Sequence, residues 1–126
     1  MRHVRLRQEL ILSKSVYDVD PVTFGILDLT VYYADITSDT YQTNPTWEVL
    51  YSVKDTYGSL LGVTDMAAEL TPAFWHNVTV LFESNDTVFQ EYISRKSRGY
   101  DTSACTGTCK TSEICQLRAA QSQYNW

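Results

Sequence analysis

This chain lacks most of the signatures by which an enzyme active site is recognised in a sequence. It has only two histidines, His3 and His76, and no P-loop, glycine-rich phosphate-binding loop or Ser-His-Asp set can be assembled from it. No apolar run approaches the roughly 18 residues of a transmembrane helix. Leu10-Ile11-Leu12, which follows a basic N-terminus, is too short for the apolar region of a signal peptide. The residues alone therefore indicate no chemical reaction.

The composition is that of a globular protein with a modest core. The 126 residues are 44% hydrophobic and 13% aromatic, which fits one domain. The net charge is -5, with +3 on residues 1–14 and -8 on the remainder. Because nucleic-acid binding requires a basic surface, the acidic body argues against a nucleic-acid partner.

Hydrophobic periodicity predicts a β-hairpin over residues 15–33. Leu27, Leu29 and Val31 alternate with their neighbours with the period of two that is typical of a strand. A lone hairpin is marginal in water, so its exposed edge predicts association with a further sheet or self-association with another copy. Residues 1–14 show no clear periodicity and are interpreted as a leader outside the domain.

Three aspartates of this hairpin are interpreted as its solvent-facing side. They are Asp18, Asp20 and Asp28, and no histidine lies near them in the sequence to complete a metal site. The hypothesis of a carboxylate cluster with a metal is therefore disfavoured.

Helix-capping signals predict that residues 44–125 are helical. Asn44-Pro45 and Thr71-Pro72 each combine an N-cap with proline at the first helical position, and Asn85 is a further N-cap. Five helices are predicted. The first two cover residues 45–58 and 64–70, the third begins at Pro72, the fourth runs from Asp86 to Gly99, and the last begins near Thr111. The predicted fold class is mainly α: an N-terminal β-hairpin followed by about four to five short helices, with a disulfide-stapled C-terminal tail.

All three cysteines, Cys105, Cys109 and Cys115, fall within the last 22 residues. Cys105 and Cys109 can form a disulfide if the chain turns at Gly107. A zinc site is disfavoured because it wants four ligands and the histidines are remote, and a redox pair because the spacing is not Cys-x-x-Cys. A structural disulfide is favoured, and it predicts Cys115 as an unpaired, odd thiol that is able to bridge a second chain.

Two asparagines, Asn77 and Asn85, each begin an acceptor sequence for N-glycosylation, which would be used if the protein is secreted. Both also have a structural interpretation, because Asn85 can cap a helix and Asn77 can simply face solvent. His76 is interpreted as a packed, hydrogen-bonded side chain rather than a catalyst or a ligand.

Four sequence motifs carry a family resemblance. They are Val16-Tyr-Asp-Val-Asp-Pro-Val-Thr-Phe24, Tyr51-Ser-Val-Lys-Asp-Thr-Tyr-Gly58, Phe74-Trp-His-Asn77, and the cysteines at positions 105, 109 and 115. In this order, residues 15–126 resemble the C-terminal domain of fungal acid sphingomyelinase-like phosphodiesterases, which are secreted or lysosomal members of the calcineurin-like metallophosphoesterases.

The resemblance implies an accessory or structural domain that packs against a catalytic metallophosphoesterase domain. The parent family hydrolyses sphingomyelin to ceramide and phosphocholine, with zinc bound in that catalytic domain. The metal-binding motifs of the family have no match in this sequence, so the resemblance implies no catalytic or metal-binding residue here, and the chain alone is expected to be inactive. The fourth cysteine of the family's tail is also missing, which predicts a truncated product.

A second hypothesis remains open alongside the resemblance. The chain could be a small secreted binding module that engages a protein or lipid surface through its hairpin edge or its aromatic helix faces. The resemblance implies a secreted, lysosomal or vacuolar location.

Overall fold

The computed structural model describes residues 11–99 and 101–119, which divide into two compact units. The first unit ends at Leu70 and the second begins at Thr71. In the described part of the first unit, three antiparallel strands form a sheet in the order β1-β2-β3. The strands are β1 (Ile11–Val19), β2 (Ile26–Asp35) and β3 (Glu48–Ser52).

The predicted N-terminal hairpin is confirmed, and its strands extend beyond residues 15–33. Lys14 pairs with Tyr32 and Tyr17 with Leu29, so the side chains alternate between two faces as the period of two predicts. Strand β1 begins at Ile11, so residues predicted as leader belong to the sheet.

The prediction of a helix beginning at Asn44-Pro45 is wrong, because residues 48–52 form β3. Tyr33 pairs with Glu48 and Tyr32 with Val49, which satisfies backbone groups along the second edge of β2. Pairing with a strand that lies far away in the sequence overrides the local capping signal. Helix begins only after β3, as a π-helical segment at Lys54–Gly58 that continues into α1 (Ser59–Leu61).

The short helix predicted over residues 64–70 is also wrong. Asp65 instead closes a turn, since its Oδ1 accepts the backbone N–H of Ala67 at 2.9 Å. Leu70 donates its backbone N–H to the carbonyl oxygen of Ile26 at 2.7 Å, which ties this loop to the start of β2. Hydrogen bonds to distant residues thus replace the bonds that a helix would make.

The second unit contains three helices among its described residues. They are α2 (Pro72–Ser84), α3 (Asp86–Lys96) and α4 (Thr108–Arg118). No helix in residues 11–99 and 101–119 is long and apolar enough to cross a membrane.

Both predicted caps of the second unit are confirmed. The Thr71 hydroxyl accepts the N–H of Phe74 at 3.2 Å, and Asn85 Oδ1 accepts the N–H of Val88 at 3.3 Å. The last helix begins at Thr108 rather than near Thr111. With the sheet and the helices in place, the predicted fold class is confirmed, and the structure adds a third strand to the hairpin.

Aromatic packing forms the core of the second unit. Phe82 and Phe89 are fully buried, at 2% and 0% exposure, and their ring centroids lie 5.8 Å apart. Tyr92 stacks on Phe82 with centroids 4.9 Å apart, and Ile114 adds a buried side chain from α4. These contacts hold α2, α3 and α4 together by apolar burial.

Candidate interaction site

Asp28 is a buried structural residue, and its interpretation as part of the solvent-facing side of the hairpin is wrong. Asp28 is only 7% exposed. Oδ1 accepts the N–H groups of Leu29 and Lys54 at 2.8 and 3.0 Å, and Oδ2 accepts the hydroxyl of Ser52 at 2.7 Å. The donors come from β2 itself, from the end of β3 and from the π-helical segment that follows it, and together they satisfy the buried carboxylate.

Lys54 belongs to the same buried network, and its structural role was not predicted from the sequence. It is 3% exposed, and its ammonium group donates to the carbonyl oxygens of Met66 and Ala68 at 3.2 and 2.7 Å. Lys54 therefore holds the loop that precedes the second unit. Its hydrogen bond to Asp28 spans 26 positions in the sequence, which is why no local pattern reveals it.

The structure brings together no metal site in the part of the chain it describes. Within residues 11–99 and 101–119, no group of three or more histidine, cysteine, aspartate or glutamate side chains could hold a metal ion. His3 lies outside the described residues.

The predicted disulfide between Cys105 and Cys109 is confirmed. Gly107, between them, has a φ of 58°, a conformation that glycine adopts without steric cost. The backbone N–H and carbonyl of Cys105 bond the side-chain amide of Gln90 at 3.0 and 2.7 Å, which anchors the loop to α3. Cys115 is a half-buried thiol on α4.

The two candidate glycosylation sites lie apart on the second unit. Asn77 is exposed in the middle of α2, whereas Asn85 is exposed at the junction of α2 and α3, where it caps α3. His76 is exposed, which does not agree with the prediction of a packed side chain. Its helix turns the face with Phe74 and Val78 inward, and His76 falls on the opposite side.

A cavity of about 520 Å³ adjoins α4 in the second unit. Lys110 and Arg118 lie on its wall together with Ile114. Both cations already have acidic partners, since Lys110 pairs with Asp86 and Arg118 with Glu83. Neither charge is available without breaking an ion pair, so the cavity has no prepared anion site.

The three strands of the first unit carry four acidic residues, Asp18, Asp28, Asp35 and Glu48, and a single basic residue, Lys14. No lysine or arginine occurs between Lys14 and Lys54, whereas six acidic residues do. Tyr33 donates its hydroxyl to Glu48 at 2.6 Å, and this bond raises the pKa of the Tyr33 phenol above its ordinary value. The hydroxyl of Thr37 donates to Asp35 and lowers the pKa of that carboxyl group. The sheet thus presents an acidic surface.

The stabilisation that Asp35 and Asp86 contribute is expected to be lost only in strongly acidic solution. Hydrogen bonds from Thr37 and from Lys110 and Gln90 lower the pKa values of Asp35 and Asp86, respectively. Lowered pKa values mean that each carboxylate stabilises the fold above its ordinary pKa of about 3.9, and that this contribution is lost as the pH falls through the folded value. The melting temperature should stay level from about pH 7 to about pH 5 and drop below about pH 4.

Thermal unfolding followed by circular dichroism across this pH range tests the prediction. Asp86→Asn is the control, and its melting temperature should depend less on pH below about pH 4 than that of the unmodified chain. The same pH dependence below about pH 4 in the unmodified chain and in Asp86→Asn would contradict the assignment of Asp86.

Among the described residues, strand β1 lies at an edge of the sheet and leaves apolar side chains exposed. Val16, Tyr17 and Val19 are 45%, 56% and 47% exposed, respectively. Residues 20–25, which we call the hairpin turn, add Val22 at 83% and Phe24 at 78% exposure. An edge strand with exposed apolar residues is suited to contact with another protein surface.

Comparison with known proteins assigns the family. The model of the acid sphingomyelin phosphodiesterase C-terminal region matches residues 1–124. The chain belongs to this family. The resemblance seen in the sequence motifs is thereby confirmed, and the match covers nearly the full chain.

Characterised relatives carry the same region as a small part of a longer protein. Sphingomyelin phosphodiesterase 1 of Caenorhabditis elegans is 29% identical over 104 residues, which are 82% of this chain and 17% of the relative. Acid sphingomyelinase-like phosphodiesterase 3b of Homo sapiens is 24% identical over 103 residues, 82% of this chain and 21% of the relative. Sphingomyelin phosphodiesterase A of Dictyostelium discoideum is 26% identical over 102 residues, 81% of this chain and 16% of the relative. The chain therefore spans only about a sixth to a fifth of the length of these relatives.

Proposed function

We propose that this chain is the C-terminal accessory domain of an acid sphingomyelinase-like phosphodiesterase and that it supports a catalytic domain rather than carrying out hydrolysis. The family match over residues 1–124 is the main support. The parent reaction is the hydrolysis of sphingomyelin or a related phosphodiester to ceramide and phosphocholine, with zinc bound by the catalytic domain. Two of the relatives are sphingomyelin phosphodiesterases, which agrees with this reaction class.

The positions of the acidic and basic side chains support an accessory role. Asp28 and Lys54 are used in internal hydrogen bonds, and Lys110 and Arg118 are used in ion pairs. Metal-assisted phosphodiester hydrolysis instead requires several ligands that converge on an open site. The described residues instead form internal hydrogen bonds and ion pairs, and a sheet whose surface is acidic and partly apolar.

The exposed edge strand β1 and the hairpin turn also support the proposal that this chain binds a partner domain. We place the catalytic domain against β1 and the hairpin turn, because a nine-residue edge strand has backbone groups that a neighbouring strand can pair. Self-association through the same edge is the competing arrangement. A stand-alone secreted module that binds a protein or lipid through this surface is the alternative function.

The accessory role is tested with the isolated chain and with a chimera. In the chimera, this chain replaces the matching region of the full-length Caenorhabditis elegans sphingomyelin phosphodiesterase 1, to which it is 29% identical. The isolated chain with added zinc should release no phosphocholine from sphingomyelin, whereas the chimera should be folded and hydrolyse it. A variant of the relative that lacks this region should give a lower yield of soluble, active enzyme.

Two results would refute the accessory role. One is zinc-dependent release of phosphocholine by the isolated chain after removal of contaminating enzymes. The other is a chimera without activity in an assay where the unmodified relative is active.

The proposed function implies that the protein passes through an oxidising compartment. The Cys105–Cys109 disulfide supports a secreted, lysosomal or vacuolar location, since structural disulfides persist in oxidising environments. In such a compartment Asn77 and Asn85 become candidates for N-glycosylation, because both are exposed.

Glycosylation is expected to appear as a loss of mass when the protein, secreted from a eukaryotic host, is treated with peptide N-glycosidase. Asn77→Gln removes one site and leaves the Thr79 hydroxyl bonded to Arg118 at 2.9 Å. Asn85→Ser removes the other site and keeps a good N-cap for α3. The double variant should show no loss of mass, and an unmodified chain whose mass does not change would contradict the prediction.

A further inference from the structure

The hairpin turn presents the two most exposed large apolar side chains of the described residues. Val22 is 83% exposed and Phe24 is 78% exposed. Neither side chain contributes to the core of the first unit, which includes Val53, Tyr57 and Leu70. Their apolar surface is therefore not explained by the packing of this unit.

Hydrogen bonds hold the turn in a defined conformation, although its apolar residues are exposed. Oδ1 of Asp20 accepts the N–H groups of Val22 and Thr23 at 2.8 and 3.2 Å, and the Asp20 carbonyl accepts the N–H of Phe24 at 2.9 Å. The hydroxyl of Thr23 donates to the Glu69 carboxylate and ties the turn to the loop before the second unit. A turn with a defined conformation loses little conformational freedom when it binds a partner.

Phe24 also has an unfavourable backbone conformation. Its φ is 60°, in the left-handed region where a bulky side chain is an outlier and glycine is favoured. Strained residues of this kind occur where the surrounding structure holds them in place, often at binding sites. Phe24 therefore combines an unfavourable backbone conformation with an aromatic ring that is 78% exposed.

The charge around the turn selects among the surfaces it could contact. Asp18, Asp20 and Glu69 lie at or near it, and the sequence has no lysine or arginine between Lys14 and Lys54. An acidic surface is repelled by anionic lipids and by a second acidic copy of itself. It complements a protein surface in which basic side chains surround an apolar depression.

We propose that Val22 and Phe24 insert into an apolar socket with a basic rim on the phosphodiesterase portion that lies outside this region in the relatives. This inference rests on the proposed function and names the residues that make the contact. The matched region is 17% of the Caenorhabditis elegans relative, so most of that polypeptide is available to form the socket. Burial of Phe24 in the socket recovers the apolar surface that the isolated unit leaves in water.

The reactivity of a cysteine at the turn tests the contact directly. Val22→Cys is made in the isolated chain and in the chimera described above, and its alkylation by a small water-soluble maleimide is followed by peptide mass mapping. The cysteine should react at least about tenfold more slowly in the chimera than in the isolated chain. Denaturing the chimera should restore the rapid reaction.

A second variant separates docking from the stability of the turn. Phe24→Gly removes the ring and suits the left-handed backbone, so the melting temperature of the isolated chain should not fall. The same change should lower the melting temperature of the chimera. Met66→Ser is the control, because Met66 is also an exposed apolar residue, at 70%, and lies outside the turn.

Each alternative gives a different result. Equal alkylation in chimera and isolated chain, in a chimera that is folded and active, overturns the socket and leaves the proposed function standing. A chimera that is inactive overturns the proposed function and this inference together. Protection of the isolated chain by vesicles of phosphatidylcholine and phosphatidylserine would assign the turn to a lipid surface, and protection that rises with chain concentration would assign it to a second copy.

Discussion

Phe89→Ala is expected to lower the free energy of unfolding of the second unit by about 3–5 kcal/mol, the usual cost of emptying a buried phenylalanine site. Phe89 is 0% exposed, and its ring centroid lies 5.8 Å from that of Phe82 and 6.1 Å from that of Tyr92. The ammonium group of Lys110 lies 5.1 Å from the same centroid. Removing the ring therefore takes away contacts of α3 with both neighbouring helices.

Urea denaturation followed by far-ultraviolet circular dichroism measures this loss. Val80→Ala is the control, because Val80 is 44% exposed on α2, and it should cost less than about 1 kcal/mol. Phe89→Leu keeps part of the volume and should fall between the two. A loss below about 1 kcal/mol for Phe89→Ala would show that this site is not the centre of the core.

Asp28→Ala is expected to destabilise the first unit by about 3 kcal/mol, because it removes the acceptor of one buried and two half-buried donors. The backbone N–H of Lys54, at 3.0 Å from Oδ1, and the hydroxyl of Ser52, at 2.7 Å from Oδ2, both lose their partner. Leaving buried donors unsatisfied costs more than the net contribution of the hydrogen bonds themselves. The junction between β2, β3 and the π-helical segment should open first.

Asp18→Ala is a closely matched control for this prediction. Asp18 is the residue opposite Asp28 in the β1-β2 register, has the same side chain and is exposed. Its replacement should change stability by less than about 0.5 kcal/mol. Asp28→Asn retains an oxygen acceptor and should cost about 1 kcal/mol. If urea denaturation shows similar losses of unfolding free energy for Asp28→Ala and Asp18→Ala, the buried network is not the cause of the destabilisation.

Features that depend on neighbours in the sequence were predictable. The Thr71 and Asn85 caps bond N–H groups three positions ahead, and the Cys105–Cys109 bridge spans four positions. The hairpin follows from a period of two in β2. In each case the interacting groups are close along the chain, so the residue pattern contains the interaction itself.

Features that depend on distant pairing were not predictable. Strand β3 was predicted as helix because Asn44-Pro45 resembles a helix start, whereas the open edge of β2 determined its conformation. The left-handed backbone of Phe24 was missed for a similar reason, since the turn is held partly by Glu69 from another loop.

The sequence by itself determined the family, the position of the hairpin, the starts of α2 and α3 and the cysteine pair, because motifs and caps are local. Only the tertiary structure decided that Asp28 and Lys54 are buried while Val22 and Phe24 are exposed. Burial depends on which strand or loop covers a side chain, and residue type alone does not specify this. A charge is buried here where distant donors and acceptors satisfy it, and an apolar ring remains in water where no segment of its unit covers it.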